Sequence, residues 1–128
     1  MENKETILSL NSILKLNAKG NEQDWAIEYS DKNRLYDFIS IFENAPLQLR
    51  QKQAVLSLII ASYDDFLFEN RDSDSQIWNK IEHLLNQNAG IVDDTLNYWA
   101  QWNENENTNH FNVTSRIRMY LTNRARVS

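Results

Sequence analysis

Apolar side chains recur every three or four residues along most of the chain, the spacing of amphipathic helices. Ile7, Leu10 and Leu14, widened by Ile13, mark one face of a first helix over Lys4–Ala18. Gly20 is its expected C-terminal stop, because glycine accepts the left-handed conformation that ends many helices. Trp25, Ile27 and Tyr29 alternate as in a strand, yet Trp25 and Tyr29 also share a helical face. A lone strand has no partner, so Asp24–Tyr29 is expected to be a turn or a helix start. Leu35, Phe38, Ile39 and Phe42 predict a helix over Asp31–Asn44, capped by Ser30 and ended by Pro46, since the residue before proline avoids the helical region.

The longest predicted helix is Leu49–Asn70. Leu56, Ile59, Ile60, Tyr63 and Leu67 share a face that Val55, Leu58 and Phe66 broaden. A stripe this wide suits a central helix touched on several sides. The polar break Arg71–Ser75 offers Asp72, Ser73 and Asp74 as caps for a fourth helix carrying Ile77, Trp78, Ile81, Leu84 and Leu85. Asn88–Gly90 is expected to end it. A fifth helix over Val92–Asn103 starts on Asp93 and Asp94, with Leu96 and Trp99 turned inward and Trp102 open between core and surface. After a polar loop, Glu104–Asn109, a last helix over Val113–Ala125 carries Val113, Ile117, Tyr120 and Leu121. The pattern predicts an all-α fold: one compact domain over residues 1–128, a bundle of about five to six helices with a long central helix.

Composition supports this and narrows the chemistry. Two Gly and one Pro among 128 residues are few for tight hairpins, and no Cys is present for disulfides or thiolate chemistry. No run approaches the ~20 apolar residues of a membrane span, and the N-terminal segment lacks a cleavable leader pattern. A cytoplasmic location, with no membrane partner, is the expectation. The net charge is −5. All the acids precede residue 107, whereas the last helix carries Arg116, Arg118, Arg124 and Arg126.

No motif specifies catalysis. His83 and His110 lack ligand-spaced partners, and Asp72-Ser-Asp74-Ser lacks the glycine and the distal acid of a calcium loop. There is no nucleophile elbow or phosphate-binding loop. Neither enzyme activity, cofactor nor metal is expected. Arg116 and Arg118 point about 200° apart on a helix and so form no stripe, and the acidic body repels phosphates. Nucleic acid is therefore not an expected partner.

The acids are more informative. Asp93 and Asp94 fit the favourable end of a helix dipole. Asp64 and Asp65 sit within the long helix, where capping does not explain them, and Glu69, Asp72 and Asp74 follow closely. The candidate partner-binding residues are accordingly Asp64, Asp65, Glu69, Asp72 and Asp74 as one acidic patch, Asp93 and Asp94 as a second, and Trp102 as an aromatic anchor.

The run Leu56-Ser-Leu-Ile-Ile-Ala-Ser-Tyr-Asp-Asp65, with Trp78-Asn-Lys-Ile81 and Tyr98-Trp99, resembles small acidic helical proteins of bacteria. Some of these are immunity proteins of contact-dependent growth inhibition systems. The resemblance implies a protein that binds and neutralises a cognate toxin. Independently, an acidic surface suits a toxin with a basic substrate-binding face, such as a nuclease. The alternative is a helical adaptor or regulator working by self- or hetero-association through its Trp-rich fifth helix. Either a monomer or a small homo-oligomer fits.

Overall fold

Hydrophobic periodicity becomes helix throughout. The computed structural model describes residues 3–70, 75–102, 104 and 111–127. Seven α-helices and one short 3-10 turn occur among them, and no strand. They are α1 (Lys4–Leu14), α2 (Trp25–Glu28), the turn Lys32–Arg34, α3 (Leu35–Asn44), α4 (Leu49–Glu69), α5 (Ser75–Gln87), α6 (Ala89–Ala100) and α7 (Thr114–Val127). The all-α expectation holds, with seven α-helices rather than five or six. The extra one is α2: the alternating segment is a single helical turn that buries Trp25 and leaves Ile27 exposed.

The chain divides into two compact units, Met1–Asp65 and Phe66–Ser128, and α4 runs through the boundary. In the first unit α1 packs on α3. Asn3 caps α1 by accepting the Thr6 amide at 2.8 Å, a contact worth ~1 kcal/mol in such helices. The helix stops at Leu14, four residues before the end its pattern suggests. Lys15 turns left-handed (φ 57°), and its N–H donates back to the Asn11 carbonyl. Gly20 also has positive φ (95°), but as part of the following loop. Local capping geometry, not glycine, ends this helix.

Ser30 does not cap the next element. Asp31 does, its carboxylate accepting the Asn33 amide at 2.9 Å. α3 then ends at Asn44, and Ala45 is extended (ψ 148°), as the residue before Pro46 must be. Gln51 reaches back to accept the Gln48 amide at 2.8 Å, half of a capping box at the start of α4. From Ala54 to Tyr63 every side chain but Ser57 is buried. This all-round burial is what the broad apolar stripe implies.

In the second unit α6 packs on both α5 and α7. Ile77, Ile81, Leu84 and Leu85 of α5, Val92, Leu96 and Trp99 of α6, and Val113, Ile117 and Tyr120 near and on α7 are buried. The expected break at Asn88–Gly90 shrinks to Asn88 alone, whose side-chain amide donates to the Leu84 carbonyl at 2.8 Å. Gly90 therefore lies inside the first turn of α6. Asp93 and Asp94 fall in its second turn, so the dipole argument for them weakens.

Candidate partner-binding surface

The candidate acids separate. Asp64 and Asp65 belong to the first unit, and Glu69, Asp93, Asp94 and Trp102 to the second. Asp72 and Asp74 lie outside the described residues, as do His110 and the calcium-loop-like run.

Asp65 is exposed but has a structural task. Ser30 donates its hydroxyl to the Asp65 carboxylate, and the neighbouring Asp31 amide donates to the buried Ser62 hydroxyl at 2.9 Å. Two side chains of α4 thus fasten the corner between α2 and the 3-10 turn. Asp64 is half-buried, and Glu69 is exposed at the last residue of α4. Acids gain nothing from the helix dipole at a C-terminus, so that end of α4 is negative on two counts.

Asp93 is half-buried beside Arg124, with Oδ1 2.8 Å from Nη2. Asp94, one residue on, is exposed.

Three described arginines near or on α7 are engaged within the second unit. Arg118 donates to the carbonyls of Ala100 (2.6 Å), Gln101 and Glu104 (2.9 Å), closing the C-terminal end of α6, where Gln101 turns left-handed at φ 49°. The carbonyls of a helix's last turn have no partner within that helix, and Ala100's is one of them. Arg124 pairs with Asp93, and the Arg116 guanidinium lies 5.8 Å from the Trp78 ring centre. Three of the four arginines that stand out near the end of the sequence thus work internally.

The aromatic residues divide as well. Trp99 is 2% exposed, its ring 4.5 Å from that of Phe111 and tilted to it, whereas Trp102 is 48% exposed. Trp102 is nonetheless held: its indole N–H donates to Asn97 at 3.0 Å, and Arg118 covers its ring at 5.5 Å. An exposed aromatic already fixed in one rotamer loses less entropy when a partner covers it. Tyr98, 57% exposed, stands on the same side of α6 as Asp94, one turn away. In the sequence Tyr98, Trp99 and Trp102 form an aromatic cluster able to anchor a partner, and of the three Tyr98 and Trp102 are exposed.

One carboxylate is strongly perturbed, and it is not among the candidates. Glu22 is pulled down to about 2, chiefly by the Lys19 amide, with the Tyr29 hydroxyl and the Gly20 amide adding to it. Those donors lie at 2.8, 2.9 and 2.9 Å. The same bond raises the Tyr29 phenol above its ordinary value. This is a loop clasp. Among the described residues no group of three His, Cys, Asp or Glu gathers as a metal site, and no helix is long and apolar enough to cross a membrane.

The chain matches no family model, no curated protein and no solved structure.

Proposed function

We infer that the chain is a stoichiometric inhibitor: an immunity-type protein that binds a cognate bacterial toxin domain through its acidic surface. The observation that carries this is the disposition of charge. Arg116, Arg118 and Arg124 are engaged intramolecularly, while Asp65, Glu69 and Asp94 are exposed to solvent, Asp65 and Glu69 even though they also have partners within the chain. A protein of net charge −5 with these three cations so engaged presents a negative field to a partner. Such a field steers a basic domain into encounter and opposes nucleic acid. A nuclease toxin, whose substrate face must be basic, is the class this complements. Exposed charge pairs contribute under ~1 kcal/mol each, so the acids would set rate and orientation while aromatic contact supplies affinity.

The test is coexpression with the product of the neighbouring gene, followed by copurification and a survival assay. A one-to-one complex that abolishes toxicity is expected, with an association rate that falls as salt rises. Charge reversal at Glu69 and Asp94 together should slow association by about tenfold or more. A neighbour without toxic activity, or a toxic one that forms no complex, overturns the reading.

A further inference from the structure

The last turn of α4 leaves an aromatic ring in water. Phe68 is 69% exposed, the most exposed large apolar side chain among the described residues, and no ring or cation of those residues lies against it. A single exposed apolar residue is ordinary; what stands beside this one gives it meaning. Asp65, also exposed, comes three residues earlier on the same helix, where i and i+3 side chains are neighbours with Cβ atoms about 5–6 Å apart. Its Oδ2 accepts the Ser30 hydroxyl, which holds the carboxylate in place, while Oδ1 has no partner among the described residues. Phe68 lies in the last turn of the helix, where the dipole favours a cation.

The start of α3 shows the same two groups with a third one supplied. There Arg34 pairs with Asp37 at 2.6 Å, and its guanidinium lies 4.6 Å from the Phe38 ring centre. Carboxylate, ring and guanidinium meet within about one helical turn of a single helix. The end of α4 presents the carboxylate and the ring, but its sequence holds no Lys or Arg between Gln53 and Asn70. The helix itself therefore cannot supply the cation that α3 obtains from Arg34.

We propose that Asp65 and Phe68 receive an arginine side chain from a basic partner domain. The guanidinium lies over the Phe68 ring, a cation on the negative face of the π-system, and donates to Asp65 Oδ1. Arginine suits this pair better than lysine, because its planar group stacks on an aromatic face and is more weakly hydrated than an ammonium. Ser30 already holds the carboxylate, so little of its freedom remains to be lost on binding. The net charge of −5 complements a basic domain. The identity of that domain as a toxin rests on the inhibitor reading above; the chemistry of the site does not.

The experiment titrates the full chain with an arginine peptide and a lysine peptide of equal length, followed by NMR. The Phe68 ring protons and the Asp65 amide should shift, and the arginine peptide should bind about threefold tighter or more. Phe68→Ser should abolish that preference and leave the thermal midpoint unchanged, because the ring is mostly in water. In complex with the toxin domain, Phe68→Ser should raise the dissociation rate about tenfold or more. Peptides that leave Phe68 unshifted overturn the proposal, as does an arginine preference that survives Phe68→Ser. A toxin complex whose dissociation is indifferent to Phe68→Ser also overturns it, and leaves the inhibitor reading standing. An arginine preference lost in Phe68→Ser, with no toxin complex formed, supports the site and overturns the inhibitor reading instead.

Discussion

The two units solve the same problem with opposite charges. In the first, loops between helices are tied by acceptors reaching for backbone amides. The Asn11 amide bridges Ala18 in both directions (2.9 and 3.0 Å), Glu22 holds Lys19 and Gly20, and Asp31 holds Asn33. In the second, a cation reaches for carbonyls: Arg118 gathers three of them where α6 ends. The difference follows from what each place leaves unsatisfied. The loop after α1 and the start of the 3-10 turn leave backbone amides without a helical partner, whereas the end of α6 leaves carbonyls. Acidic residues in an acidic protein are therefore not all available to a partner, and Arg116, Arg118 and Arg124 do not make a free basic surface.

Replacing Arg118 by Met should break the second unit's closure most severely. It keeps much of the stem but takes the guanidinium from three carbonyls, of which Gln101's retains the Glu104 amide. About 2–3 kcal/mol should be lost in urea unfolding, as for other hydrogen bonds to charged groups. A loss below ~0.5 kcal/mol would mean that water replaces the guanidinium freely. In the first unit Asn11→Ala should cost about 1–2 kcal/mol, the loss of two neutral hydrogen bonds. If it costs more than Arg118→Met, the ranking of the two devices is reversed.

A double-mutant cycle on Asp93 and Arg124 should give a coupling under ~1 kcal/mol, since the Asp93 side chain is 50% exposed and the Arg124 side chain 32%. The finest test is acid titration. The folded Glu22 carboxyl lies at about 2, below its ordinary 4.5. The unfolded chain then binds the extra proton between those values, so stability falls as pH falls through that window. Glu22→Gln should remove this part of the acid dependence. Thermal midpoints from pH 6 to 2 for both proteins would measure it, and parallel curves would refute the clasp.

Much of the fold was legible because periodicity records burial. The broad stripe of α4 predicted a helix buried all round, and Trp99 at helical spacing from Leu96 predicted a core indole. Element ends were less legible. Lys15 adopts the left-handed conformation expected of Gly20, and Gly90 enters a helix expected to start two residues later, because capping depends on which groups remain unpaired after packing. The candidate site was least legible. Asp64 and Asp65 stood out as acids that capping could not explain, but the Ser30 hydroxyl that occupies Asp65 is 35 residues away in the chain.

The sequence by itself determined that the chain is helical, which faces of its helices are apolar, and that its charge is negative with a basic end. These are properties of spacing and composition. Only the tertiary structure decided which charges are engaged. Arg118 became a helix closure, Asp65 a fastener, Glu22 a clasp and Asp94 an exposed carboxylate. A charge is taken up or left over according to the polar groups that packing brings within about 3 Å of it, and those neighbours come from other turns of the chain.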